Sequence, residues 1–200
     1  MRQAPRPLRR WPVRLFLAIN FDAGTRAAVH AAAAPLRAAA PELAWVDESR
    51  LHLTLKFLDK QPDDLVPRLA AVLDEVASGH VGLRSSLEEF GAFPNFRRAR
   101  VVWIGMEADP RLELLHHDVE LACDRLGVPV DARPFRPHVT LARVRQAAAP
   151  ASLRALSRAA RGAAGSRFPT SVDSIDLMCS TLRPEGAAYP LLHSSTLRKL

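Results

Sequence analysis

His52-Leu53-Thr54-Leu55 in the first half of the chain and His138-Val139-Thr140-Leu141 in the second are two copies of one pattern, 86 positions apart. Each sits in a short apolar run, residues 51–58 and 138–144, that reads as a strand. Side chains alternate faces along a strand, so His and Thr two residues apart point the same way, while Leu53 and Leu55, or Val139 and Leu141, point into a core. Each copy therefore presents an imidazole and a hydroxyl together. Two such strands facing each other across a cleft enclose a pocket of two histidines and two hydroxyls, with no carboxylate in either motif.

The surrounding sequence gives these strands company. Val13 to Asn20 is apolar and β-branched and reads as a buried strand; further extended candidates span residues 83–90, 100–106, 172–182 and 188–197. Helical patterns intervene at 25–39, where Pro35 should shorten or kink the helix, at 63–78, at 110–126 and at 152–161. Asp109 before Pro110 is an N-cap followed by a first-turn proline, and Gly127 suits the far end of that helix. Helices thus alternate with pairs of strands, which predicts an α+β fold with largely antiparallel pairing rather than a doubly wound parallel sheet. No Gly-rich phosphate loop is present.

The 200 residues, 48% hydrophobic and 24% charged, exclude a wholly disordered chain, and no apolar run has the length of a membrane span. The net charge of +7 raises a polyanion as partner, but five of the seven excess charges are arginines within residues 1–14, leaving +2 for the rest. With Pro5, Pro7 and Pro12 among them, residues 1–12 read as a flexible basic arm preceding a single domain over 13–200. The stretch Leu15 to Phe21 is short, interrupted by Asn20 and lacks a small-residue cleavage site, so it reads as a strand rather than a secretory signal. Cys123 and Cys179 supply neither a disulfide framework nor zinc-ligand spacing and read as buried thiols in a reducing cytoplasm.

Two histidines and two threonines suit in-line displacement at a phosphodiester. A base must deprotonate the attacking oxygen and an acid must protonate the departing one on the opposite side of phosphorus, and imidazole serves either role near neutral pH. Threonine hydroxyls can donate to the non-bridging oxygens through the transition state. The scheme calls for no metal and no cofactor. A single His-x-Thr is weak evidence, being ordinary on a half-buried strand; two matched copies carry the reading. His30, His80, the adjacent pair His116-His117, and His193 lack such a pattern.

At these motifs the chain resembles the 2H phosphoesterases, and within them the bacterial and archaeal RNA 2′,3′-cyclic phosphodiesterases, historically called 2′-5′ RNA ligases. The resemblance runs from about residue 13 to 198: Arg14 to Asn20 as an opening strand, Val46 to Leu58 (VDESRLHLTLKFL) and Arg133 to Arg143 (RPFRPHVTLAR) as the two catalytic segments. Phe90 to Pro94 with Arg100 to Gly105 matches the middle strands, and Ile175 to Leu191, including Ser180 and Tyr189, the closing hairpin. It implies a bilobal fold with a pseudo-twofold axis, two largely antiparallel sheets, helices outside and a central cleft. It implies an enzyme that opens the 2′,3′-cyclic phosphate of RNA to a 2′-phosphomonoester, with His52 as proton donor, His138 as proton acceptor, and Thr54 and Thr140 holding the phosphate. The acid and base assignment comes from the family alone, because the two motifs are nearly symmetric.

The family match extends to position five after each histidine, Phe57 and Arg143. Strict alternation would turn both toward the core, so either the strands bulge there or these residues lie just past their ends. Arg143 is a candidate phosphate clamp and Phe57 a candidate contact to ribose or base. Lys56 shares the His52 face by alternation, as a candidate for steering the anion or as a solvated lysine at the cleft rim. Arg97-Arg98 form a second candidate RNA contact. After the first motif the chain reads Phe57-Leu58-Asp59-Lys60, where the family usually has glycine followed by an acid. Alternatives to RNA-end hydrolysis are a small nucleotide-derived cyclic phosphate, 2′-5′ ligation, or a non-catalytic RNA-binding module.

Overall fold

A computed structural model describes residues 13–145, 148–183 and 186–199, so the basic segment 1–12 lies outside the described residues. The strands are β1 (Val13–Asn20), β2 (Ala44–Trp45), β3 (His52–Gln61), β4 (Leu83–Phe93), β5 (Val101–Met106), β6 (His138–Arg143), β7 (Arg167–Val172), β8 (Ser174–Arg183), β9 (Gly186–Ala188) and β10 (Leu191–Thr196). The helices are α1 (Ala23–Ala32), α2 (Ala34–Ala39), α3 (Leu65–Gly79), α4 (Pro110–Arg125) and α5 (Pro150–Gly162). Local chemistry sets their ends. The Asp22 carboxylate accepts from the Thr25 amide at 2.9 Å and caps α1. Pro35, with no amide hydrogen to give, divides the expected 25–39 helix at Ala33 and occupies the first turn of α2. Asp109 accepts from the Arg111 amide and opens α4, while Gly127 closes it at φ 86°.

The strands run in the order β10-β8-β1-β3-β6-β5-β4-β7, with antiparallel neighbours throughout. They form one continuous sheet rather than two separate ones, and its two halves, four strands each in this order, meet at the β3–β6 seam through the pair Leu53 and Val139. Helices α3 and α4 pack on β10, β8 and β3 of the first half, α1 and α5 on β7 and β4 of the second, and α2 against α5 and α1. The main core draws on both halves, with Leu15, Leu17, Leu53, Leu69, Ile104, Leu112 and Val139 all nearly inaccessible. On the opposite face of β1, Phe16 and Ala18 join Met178 in a smaller cluster that becomes one wall of the site.

The expected strand at 172–182 is β8, which begins at Ser174, and a further strand, β7, ends just ahead of it at Val172. Its sequence, Arg167-Phe-Pro-Thr-Ser-Val172, contains a proline, which a central strand could not hold; β7 lies at the end of the sheet, where Pro169 costs no ladder hydrogen bond on its outer side.

Two β-bulges decide which side chains reach the cleft. Opposite β1, Leu17 pairs with Lys56 and Ala18 with Thr54, so Leu55 is an extra residue in β3. Opposite β5, Val102 pairs with Ala142 and Trp103 with Thr140, so Leu141 is an extra residue in β6. Each bulge falls three residues after its histidine and reverses the alternation beyond it. Phe57 and Arg143 are thereby turned outward, Phe57 to 64% exposure, and Lys56 and Ala142 are turned inward. A second irregularity between Leu15 and Phe16 leaves Leu58 unpaired, and Asp59 takes φ 57°.

Lys56 is therefore neither an anion-steering group on the His52 face nor a solvated rim lysine. It is 5% exposed, and its ammonium bonds Glu120 of α4 at 2.5 Å and the Pro129 carbonyl at 2.8 Å. The same Glu120 carboxylate accepts from the Asp131 amide at 3.0 Å, so the buried pair ties the loop leading to β6 against β3 and α4. Lys56→Ala leaves that carboxylate buried without its cation and should lower unfolding free energy by about 3–5 kcal/mol, read by urea denaturation. Phe57→Ala, at the neighbouring but exposed position, should change it by less than about 1 kcal/mol.

Candidate active site

The seam between the halves builds the site. Leu53 pairs with Val139 in antiparallel register, so one step to either side brings His52 across from Thr140 and Thr54 across from His138. The two motifs thus lie side by side at the sheet centre rather than on facing walls. The pair Leu53 and Val139 marks a local twofold, with the histidines at opposite corners and the threonines at the other two.

Each imidazole is held by its own backbone. His52 Nδ1 lies 2.8 Å from the Arg50 carbonyl, and His138 Nδ1 lies 2.6 Å from the Arg136 carbonyl, in both cases two residues earlier. A carbonyl only accepts, so Nδ1 carries the hydrogen and Nε2 is left as the working nitrogen. Aromatic rings flank both histidines in parallel fashion. His52 packs on Phe16 at 5.1 Å and on the edge of Tyr189 at 5.5 Å; His138 packs on Phe93 at 5.0 Å and on Trp103 at 6.3 Å. Phe16 and Trp103 come from the strands that flank β3 and β6, β1 and β5. Gly91 makes room for the indole: a Cβ there would stand 2.2 Å from Trp103 ring atoms.

Two cavities open over this floor. One, of about 390 Å³, is lined by His52, Phe16, Arg50, Ser180 and Tyr189, and the other, of about 760 Å³, by His138, Phe93, Arg100, Arg136 and Phe135. They share Thr54, Thr140, Phe57 and Arg143, so one cleft crosses the seam with a histidine on either side. Burial pushes both imidazoles below their ordinary value; the carbonyl bond opposes that shift and the Arg143 cation adds to it. A cation that acts on both rings sits between them in effect, which suits an anion bound at the centre.

The structure brings together His52, His138, Thr54, Thr140, Arg143 and Phe57, and leaves Lys56 in the wall of the larger cavity with its ammonium tied to Glu120. Of the remaining histidines, His193 bonds Asp74 at 2.8 Å and His80 bonds Asp118 at 2.9 Å. His116 stacks on Phe135 at 3.9 Å beside Glu120, steadying the segment that enters β6. The flanking aromatics and the two carbonyls were missed, because they depend on cross-strand register and local backbone shape. Among the described residues no group of three or more His, Cys, Asp or Glu side chains could hold a metal ion, and no helix is long and apolar enough to cross a membrane. Both cysteines are buried thiols, and desolvation pushes Cys123 up to about 12.

The sequence model of the 2′-5′ RNA ligase superfamily matches residues 25–181. The chain belongs to that superfamily. A Thermus thermophilus protein named RNA 2′,3′-cyclic phosphodiesterase is 34% identical over 193 residues, 93% of this chain and 91% of its own. A Geobacillus stearothermophilus protein of the same name is 31% identical over 135 residues, a match that spans 68% of this chain and 43% of that protein. Among solved structures of the superfamily, E. coli LigT complexed with 3′-AMP superposes with a TM-score of 0.72 at 26% identity, covering 93% of this chain and 98% of that one.

For this superfamily member, nitrogen-detected NMR of the ring nitrogens should show both neutral imidazoles as Nδ1–H tautomers, titrating below about 6.5. Arg143→Gln removes a cation that disfavours the charged rings, so both titrations should move upward. A ring titrating above that value, or a downward shift in the variant, contradicts the arrangement.

Proposed function

We propose that this protein is an RNA 2′,3′-cyclic phosphodiesterase, opening the cyclic phosphate at an RNA end to a 2′-phosphomonoester by acid and base catalysis from His52 and His138. The observation that carries the reading is the pair of imidazoles, each with Nδ1 tied to a carbonyl and Nε2 free, at opposite corners around two threonine hydroxyls and one guanidinium. In-line displacement needs that opposition, and a module that only bound RNA would not. The names of the curated relatives, at about a third identity, support the substrate class.

In this reading Thr54, Thr140 and Arg143 hold the non-bridging oxygens, and the exposed Phe57 offers a face to the nucleoside. Neutral His138 takes a proton from water as the water oxygen bonds to phosphorus. The bond from phosphorus to O3′ breaks on the opposite side, and protonated His52 gives its proton to O3′. The cycle ends with His138 protonated and His52 neutral, and exchange with solvent restores both. The chemistry uses no metal and no cofactor. Two buried free thiols suit a cytoplasmic enzyme.

The test is turnover of a 2′,3′-cyclic nucleotide and of a short RNA ending in that group, with a chelator present and the product isomer identified by phosphorus NMR. A 2′-phosphate, formed at a rate indifferent to chelator, is expected. His52→Ala and His138→Ala should each lower kcat by about 10²–10⁴ with folding retained. No turnover of any cyclic phosphate, or a histidine variant near the parent rate, overturns the reading.

A further inference from the structure

A third cavity, of about 640 Å³, lies outside the catalytic cleft, between α5 and the short helical turn Phe96–Arg98. Its walls include Phe96, Arg97, Leu153, Arg154, Arg158 and Arg161. Residues 154, 158 and 161 recur at helical spacing, so the three guanidinium groups form one stripe, about 6 Å apart per turn. Helix α5 is anchored through its other face, where Leu156 and Ala160 are buried against Leu36 and Val102. The stripe is exposed.

These arginines differ from the ion-paired ones on the surface. Arg14, Arg111, Arg133 and Arg167 each lie within ion-pair distance of a carboxylate, whereas among the described residues none of Arg97, Arg154, Arg158 and Arg161 does. Arg161 donates to the Ser157 hydroxyl at 3.0 Å, a neutral partner. The sequence accounts for this. Residues 90–106 and 132–172 hold eleven arginines and not one acid. Residues 15–200 carry +2 net, so the rest of that span carries −9. The small net value conceals an uneven distribution of charge along the chain.

The groove also adjoins the cleft. Phe93, Pro94 and Arg100 line the His138 side of the cleft, and Phe96 and Arg97, in the same loop, line the groove. Arg100 thus stands on the cleft side of this loop, and Arg97 and the α5 stripe on the groove side. The His52 side offers less, since Arg14 and Arg50 there stand beside Asp59 and Asp47.

We propose that the groove between α5 and residues 96–98 binds the phosphate backbone of the single-stranded RNA whose end reacts in the cleft, with Phe96 as a face for a base. The proposal rests on the RNA-end reading above and gives it a path for the nucleotides beyond the terminal one. Unpaired guanidinium groups on one stripe match successive backbone phosphates without reading sequence, and a ring face accepts any base.

The test compares kcat/KM on a mononucleotide 2′,3′-cyclic phosphate with that on a decanucleotide carrying the same end. The parent protein should favour the decanucleotide. The triple variant Arg154→Ala, Arg158→Ala, Arg161→Ala should lose at least about tenfold on the decanucleotide and stay within about twofold on the mononucleotide. Its log–log salt dependence on the decanucleotide should flatten by about 2, at about 0.7 per phosphate contact on single strands. The triple lysine variant should restore most of the difference. Equal losses on both substrates, or none on the decanucleotide, overturn the proposal. Binding of a decanucleotide with a 3′-phosphate, followed by fluorescence anisotropy, separates the two readings. If the parent opens no cyclic phosphate yet the triple variant binds this RNA at least tenfold more weakly, the groove stands and the hydrolase assignment falls. If parent and variant bind alike, the groove proposal fails.

Discussion

One backbone pairing, between Leu53 and Val139, governs the geometry of the molecule. Either four-stranded half would leave a motif strand at its edge, with its ladder groups unpaired. Joining the two edges solves that problem and creates the site in the same step, because antiparallel register places each histidine beside the threonine of the other motif. A slip by one residue would send every motif side chain to the opposite face. The apolar residues on the helix side, Leu53 and Val139 themselves, are fully buried and hold the register against such a slip.

The bulges complete what register begins. Regular alternation gives each motif strand only its histidine and threonine on the cleft face within four residues. An extra residue at Leu55 and at Leu141 brings position five round to the same face, adding Phe57 on one side and Arg143 on the other. This is where the pseudo-symmetry breaks to chemical purpose, since an aromatic face suits a nucleoside and a guanidinium suits a phosphate. The inward position created by each bulge is filled differently too. Ala142 joins a small apolar cluster, while Lys56 enters the interior paired to Glu120 and braces the loop before β6.

That logic explains what could be read from the chain beforehand. The two motifs, their cleft-facing pairs, the cap at Asp109 and the break near Pro35 follow from local rules of period, capping and proline geometry, and they are where sequence suggests. Lys56 was assigned to the wrong face because alternation has no term for an unpaired residue on one strand; only the register against β1 reveals it. Strand β7 escaped because its proline argues against a strand unless its place at the sheet edge is known. The aromatic walls around His52 and His138 combine residues from strands distant in sequence. Leu15 to Ile19 is apolar on both faces, so nothing in it singles out Phe16 as a neighbour of His52.

Charge poses a conflict that the fold resolves by distance. An RNA end calls for cations, yet every cation near the imidazoles disfavours the protonated ring that must act as acid; Arg143 already lowers both, on top of desolvation. Coulomb interaction falls with separation and, between exposed groups, is largely lost beyond a Debye length of about 8 Å at physiological salt. In the proposed reaction Arg143 is the cation that lowers both rings, while the unpaired arginines of α5, in a separate groove, would attract the polyanion without further depressing the acid. The separation also divides selection into two independent parts. In the proposed reading the seam takes the cyclic phosphate, whatever chain is attached, and the stripe on α5 responds to the length of that chain. The net charge of +2 over residues 15–200 is thus no measure of what the α5 groove presents to RNA, since residues 90–106 and 132–172 carry arginines and no acid while the rest of that span is acidic.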